Sequence, residues 1–168
     1  ATALAGGDIV SWTDTEDGTW GSISSWTPHG PSAGDFVLIG PSGAAQNTDV
    51  ELNYGIAGMA ALTISDGMIL LTMGHQLNMT GAPVRVMDFG NRRSKLVIHD
   101  GAAQTDFIAG SLSIEDPSDF VLWEGVSVRI EDSFEIEEPA RASGAATIML
   151  EAGATFDNNG DFEGSIFD

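Results

Sequence analysis

The chain has 168 residues, of which 42% are hydrophobic, so it is long enough to form one domain with a sizeable core. Six Lys and Arg residues stand against 25 Asp and Glu residues, which gives a net charge of −19. A surface this acidic repels phosphate backbones and anionic membranes, so neither nucleic acid nor membrane is expected as a partner. The absence of cysteine excludes disulfides, thiol catalysis and thiolate metal sites. No apolar run approaches the roughly 20 residues that span a bilayer.

The first eight residues, Ala1 to Asp8, contain neither the charged nor the apolar region of a signal peptide. Two interpretations remain. Either an initiator Met was removed before Ala1, or a signal peptide was cleaved there. We favour removal of the Met, which predicts a protein that is made and used without export.

One short pattern recurs along the chain: two apolar residues separated by one residue of any kind, then a further residue and Asp-Gly or an equivalent turn signal. This alternation is typical of strands with one buried face, and the Asp-Gly pair allows a sharp turn. The clearest copies are Leu62–Gly67 and Leu96–Gly101, and looser copies begin at Leu77, Leu112, Val128 and Ile148.

Short strands of the same kind lie between these copies, as at 68–72, 84–87, 120–123 and 133–136. Glycine and proline interrupt every helical apolar stripe, so the chain is predicted to be all-β. If each copy marks one coil with two or three short strands, the spacing of the copies favours a parallel β-helix (a β-solenoid). A jelly roll or β-sandwich remains the alternative.

Residues 8–72 resemble the first segment of repeat-rich parallel β-helix proteins, namely autotransporter passengers and pectin-lyase-like surface proteins. The resemblance lies in Trp12, the acidic-Gly-x-Trp run ending at Trp20, the Ser25-Trp26 pair, the motif Pro31 to Ile39, and Val50-Glu51-Leu52. Ser25 stands where those proteins usually have Asn. The resemblance implies a single-domain, right-handed parallel β-helix.

Within that fold, residues 1–34 are predicted to be an N-terminal arm and Trp-rich cap, and residues 35–168 the coils of one continuous domain. Trp12, Trp20 and Trp26 have two interpretations: a sugar-stacking platform, or a cap over the first coil. The cap is favoured because a terminal coil otherwise exposes an unpaired edge.

No catalytic, cofactor or metal site is predicted. His29, His75 and His99 lack the spacing of converging zinc ligands. The Asp157–Asp161 segment lacks Gly at the sixth position of a calcium loop and is interpreted as a tight turn. In the acidic run 131–138, alternation places Phe134 and Ile136 inward.

Three of the six cations, Arg92, Arg93 and Lys95, fall within four residues, after a turn signal at 89–91. On so acidic a chain this cluster is a candidate docking site for an acidic partner. The alternative is that its charges neutralise carboxylates of the same chain, such as Asp88 or Asp100.

A short, acidic, cysteine-free solenoid without catalytic motifs is expected to be a non-enzymatic structural protein of an assembly. The leading hypothesis is a virion component of a tailed bacteriophage, such as a capsid decoration (cement) protein or a short fibre, bound to the major capsid protein or another virion protein. The resemblance further implies a homotrimer, for which Val97, Met73 and Met87 are seam candidates. The alternatives are an exported adhesin module at the bacterial surface or outside the cell, and, third, a polysaccharide-active enzyme.

For the register we expect Leu62, Leu96, Leu112 and Val128 to be buried and roughly stacked on one another. Thr63, Val97, Ser113 and Arg129 are expected to point outward.

Overall fold

The computed structural model describes residues 7–40, 48–88, 92–101, 105–115 and 117–167, with side chains described to residue 163. The N-terminal arm before residue 7 and the turn signal at 89–91 lie outside these ranges. Within these ranges there are sixteen strands and one 3-10 turn at Ile23–Ser25. The strands are β1 Ile9–Trp12, β2 Gly18–Thr19, β3 Trp26–Thr27, β4 Phe36–Ile39, β5 Asp49–Glu51, β6 Ile56–Ala57, β7 Ala61–Ile64, β8 Ile69–Leu71, β9 Leu77–Val86, β10 Lys95–Ile98, β11 Phe107–Ile114, β12 Asp119–Leu122, β13 Ser127–Ile136, β14 Arg141–Leu150, β15 Thr155–Asn158 and β16 Asp161–Phe167.

The strands form three faces, each a stack of parallel strands, which we name A, B and C. Face A is built from β1, β4, β7, the second halves of β9, β11 and β13, and β15. Face B is built from β2, β5, β8, β10, β12 and the first halves of β14 and β16. Face C is built from β6, the first halves of β9, β11 and β13, and the second halves of β14 and β16. The chain therefore winds repeatedly through A, B and C.

The molecule is an all-β solenoid of about five turns, as the sequence predicts. On face A the stacked inward positions are 37, 62, 84, 112, 134 and 156, and each step along this column is one turn of the chain. Every one of these steps is longer than any step between successive sequence copies. The prediction of one coil for each copy is therefore wrong. The alternating pattern occurs on every face, and most successive copies lie two faces apart along the winding chain.

The predicted register is correct for burial and wrong for stacking. Leu62, Leu96, Leu112 and Val128 are all buried. Leu62 and Leu112 belong to one column on face A, whereas Leu96 stacks between Leu70 and Phe120 on face B. Val128 lies on face C.

Strand alternation produces one continuous core inside the three faces. Its carboxyl-terminal half contains a ladder of phenylalanine rings with edge-to-face and tilted contacts. Phe134 and Ile136 point into it from the acidic run, as predicted, while Glu135 and Glu137 are exposed. The members of the ladder are Phe107, Phe120, Phe134, Phe156 and Phe162.

The amino-terminal end of the stack differs from the rest. Strand β3 lies at the end of the sheet order and pairs antiparallel with β1, opposite Ser11 and Trp12. Strands β1 and β2 in turn pair parallel with β4 and β5. Residues 9–19 thus already contribute strands to faces A and B, and β3 covers the edge that β1 would otherwise expose.

Candidate functional site

Trp26 of β3 packs against both Trp12 and Trp20. The centroid of the Trp26 ring lies 5.0 Å from that of Trp12 and 4.9 Å from that of Trp20, both in edge-to-face geometry. The indole N–H of Trp26 donates to the carbonyl oxygen of Trp20 at 2.9 Å. All three side chains are buried in the core, so their rings offer no open face to a sugar.

A polar clamp holds the start of face A. The buried carboxylate of Asp35 accepts hydrogen bonds from the Ser32 hydroxyl and the Ser32 backbone N–H, both at 2.8 Å, and from the Asp8 backbone N–H at 3.1 Å. Gly34 precedes it with φ of +88°, a conformation that glycine adopts freely. The Pro-x-x-Gly-Asp motif of residues 31–35 is therefore a structural turn that ties the chain to its amino-terminal end.

His29 completes this clamp. Its ring nitrogens lie 2.8 Å from the Gly30 carbonyl oxygen and 2.9 Å from the Asp8 carboxylate, and these two hydrogen bonds raise the pKa of His29. Burial opposes ionisation of Asp35, but the hydrogen bonds from Ser32 and Asp8 outweigh it and lower the pKa of that carboxyl. The Ser32 hydroxyl donates to Asp35 rather than to His29, so this Ser, His and Asp set does not activate a nucleophile.

The predicted basic cluster lies where the chain enters face B. Arg92 is exposed and forms no ion pair with another described residue, whereas Arg93 pairs with Asp119 at 2.7 Å. Burial and the charges of Asp17 and Glu51 raise the pKa of Asp49, and the charge of Lys95 offsets this only in part. Within the cluster, Arg93 thus neutralises a carboxylate of the same chain, that of Asp119.

Lys95 also begins a column of alternating charge. Its register neighbour on the next turn is Asp119, followed by Arg141 and then Asp161. Opposite charges in adjacent register positions of neighbouring strands attract weakly at a surface. Neither Arg92 nor Lys95 forms an ion pair with a described residue, and Arg92 also lies outside this ladder.

An apolar strip lies on the outside of face A near the amino-terminal end. Ile9 is 70% exposed and is the register neighbour of Phe36, which is 47% exposed and is followed on the next turn by Ala61. We call this set, with Leu38, the N-terminal strip. It borders a shallow groove lined by Gly7, Ile9, Phe36, Val37, Leu38, Ala61 and Thr63.

The three residues predicted to lie at a trimer seam differ in their exposure. Val97 lies on the outer face of β10, but it is only 9% exposed, and its register neighbours Leu71 and Val121 are also apolar. The chain thus largely covers Val97 itself. Met87 is half-buried, and Met73 is 48% exposed.

The fourth tryptophan, Trp123, was not among the predicted site residues, yet it is 56% exposed. Its ring centroid lies 4.3 Å from that of His99 on the preceding turn. The signal was present in the sequence: alternation through Phe120, Val121 and Leu122 places Trp123 on the outer face.

No described residue takes part in a group of three or more His, Asp or Glu side chains able to hold a metal ion. Within the same ranges, no helix is long and apolar enough to cross a membrane. Comparison of the chain with known protein families, curated proteins and solved structures finds no match. The assignment to a β-solenoid thus depends on the strand topology.

Proposed function

We propose that the protein is a non-catalytic structural component of a larger assembly, as a capsid decoration protein or short fibre of a tailed bacteriophage would be. The observation that carries the proposal is the N-terminal strip. Ile9 and Phe36 leave apolar surface open on an otherwise strongly acidic chain, and such patches mark contact sites with other macromolecules.

The solenoid supports such a role mechanically. Its core is continuous from the tryptophan cluster to the phenylalanine ladder, and the parallel strands hold the outer side chains in fixed register. A rigid surface loses little conformational entropy on docking. In this proposal the strip seats against a virion protein or a second copy of the chain, as in the expected trimer. Arg92, elsewhere on the surface, adds a charged contact to an acidic partner.

The test begins with purified particles of a tailed phage that encodes the chain. Mass spectrometry should find the protein at a fixed number of copies per particle. Its absence from such particles, or a signal peptide encoded upstream of Ala1, would overturn the virion role.

Attachment should then depend on the strip. Phe36→Ser is expected to weaken binding to particles stripped of the protein by about tenfold or more, because truncating a buried aromatic anchor costs about 2 kcal/mol. Met149→Ser is the matched control, since Met149 is 41% exposed and lies on face C. Equal binding by both variants would refute the role of the strip.

The basic cluster is tested in the same assay across a salt series. Arg92→Ala with Arg93→Ala should weaken attachment most at low salt, where charge contacts are least screened, and leave the melting temperature nearly unchanged. Arg85→Ala with Arg129→Ala changes the net charge equally and removes cations that pair with Glu115, Glu131 and Glu151. The same loss in both double variants would assign the effect to net charge alone.

A second candidate is an exported surface or adhesin module. The resemblance of residues 8–72 to autotransporter passengers favours it. Surface labelling of intact bacteria that express the full reading frame distinguishes this function from a virion role.

A further inference from the structure

The corner between faces B and C is a stack of glycine turns. The chain leaves β8 through Met73-Gly74, β10 through Asp100-Gly101 and β12 through Glu124-Gly125, and Gly74 and Gly125 have φ of +79° and +87°. A Cβ atom on Gly101 would overlap the carbonyl group of Gly74, so the turns contact each other backbone to backbone. Side chains on this corner are consequently held about one strand spacing, roughly 4.8 Å, apart.

Two rings and a thioether side chain lie along this corner. The Met73 backbone N–H donates to Nδ1 of His99 at 3.1 Å, which fixes the imidazole ring. Trp123 packs against that ring with the two planes 56° apart, and more than half of its surface remains open. Trp123 is thus an exposed indole on a fixed support.

Two exposed carboxylates lie in the turns that follow His99 and Trp123. The Asp100 carboxylate lies 3.2 Å from the point that a Cβ on Gly125 would occupy, beside the turn that follows the indole. Glu124 is exposed and follows Trp123 directly. Neither carboxylate forms an ion pair with any described residue.

The hydrogen bonding of His99 favours a neutral ring. Its Nδ1 accepts the Met73 N–H and so carries no proton in this geometry. Burial also lowers the pKa of His99, and the charge of Glu51 offsets this only in part. The corner therefore presents an electron-rich indole and two carboxylates beside an imidazole whose neutral form is favoured.

We propose that Trp123, Asp100 and Glu124 form a docking site for an arginine side chain on an extended segment of a partner protein. A planar guanidinium stacks on an indole face and donates to carboxylates at the same time, which a lysine ammonium does less well. The charge of −19 attracts such a segment over a distance. This site is separate from the N-terminal strip and does not depend on a virion role.

The experiment titrates the purified chain with a blocked Gly-Arg-Gly-Arg-Gly peptide and follows the histidine ring signals by NMR. The His99 signals should shift while those of His29, at the amino-terminal clamp, stay in place. The lysine peptide should bind more weakly than the arginine peptide. The citrulline peptide, which has nearly the same shape without the charge, should not bind.

Variants separate a site from general attraction. Trp123→Ala leaves the net charge unchanged and should weaken binding about two- to fivefold, the range for an exposed cation–π contact. Asp100→Asn with Glu124→Gln should weaken it further than Asp132→Asn with Glu135→Gln. The second pair is exposed, has no ion pair with a described residue, and removes the same charge from strand β13.

Equal loss in the two double variants, with Trp123→Ala unchanged, would overturn the proposal and leave non-specific attraction only. A neutral oligosaccharide that shifts the His99 signals where the arginine peptide does not would also overturn it, by assigning the indole to a glycan. Unchanged melting temperatures in the variants exclude unfolding as the cause of a loss.

Discussion

Phe134 is the side chain at which the aromatic ladder converges, and its replacement by alanine tests the packing directly. Its ring centroid lies 6.2 Å from that of Phe120, 5.2 Å from that of Phe156 and 6.2 Å from that of Phe162. The side chain is only 1% exposed. Phe134→Ala therefore removes contacts to three rings at once.

The expected cost is about 3–5 kcal/mol of unfolding free energy, the usual range for a buried Phe→Ala change. With a urea dependence of about 2 kcal/mol per M, the unfolding midpoint should fall by about 1.5–2.5 M. Because each turn contacts mainly its neighbours, the loss should be concentrated in the carboxyl-terminal turns.

Urea titrations followed by far-UV circular dichroism measure this change. In a Trp123→Phe background, tryptophan emission comes from the amino-terminal cluster alone, and its transition should shift less than the circular dichroism transition. Glu135→Ala is the control, since Glu135 is the exposed neighbour of Phe134. A Phe134→Ala midpoint within 0.3 M (about 0.6 kcal/mol) of wild type would refute this account of the core.

Two further predictions concern the register and the clamp. Leu112→Asp should lower the unfolding free energy by several kcal/mol, because it buries an unpaired carboxylate between Val84 and Phe134. The control Leu112→Met should cost less than about 1.5 kcal/mol. Equal melting temperatures for the two variants would contradict the register. Hydrogen bonding raises the pKa of His29, so its contribution to stability is fully present below pH 6.5, the value in the unfolded chain, and is lost as the pH rises through the folded value. The melting temperature of His29→Asn should accordingly lie further below wild type at pH 5.5 than at pH 8.5, and a constant difference would argue against the clamp.

Most of the fold that can be predicted from the sequence follows from the alternation of apolar and polar residues along each strand. It predicts the all-β class, the inward direction of Phe134 and Ile136, and the burial of Leu62, Leu96, Leu112 and Val128. It cannot assign a strand to a face, because the inward side of each face shows the same alternation. The number of faces depends on how sharply the intervening turns bend, and several of these turns depend on positive-φ glycines.

The surface features are harder to predict for the same reason. Strand alternation places Phe36 and Trp123 on the outer side, but it does not identify their neighbours on the adjacent turns of the solenoid. Those neighbours become known only once the register is fixed. Arg93 illustrates the difficulty: Asp88 and Asp100 are nearby in sequence, yet its partner is Asp119, one turn further along face B.

The two ends of the described stack differ in their strand pairing. Strand β3, antiparallel to β1, blocks the addition of a parallel turn at the amino-terminal end, whereas β15 and β16 each pair with one strand among the described residues. Insertion or deletion of a whole turn would change the length of the stack by about 4.8 Å and leave the pairing of β1 with β3 unaltered. The number of turns therefore sets how far the stack extends from the N-terminal strip.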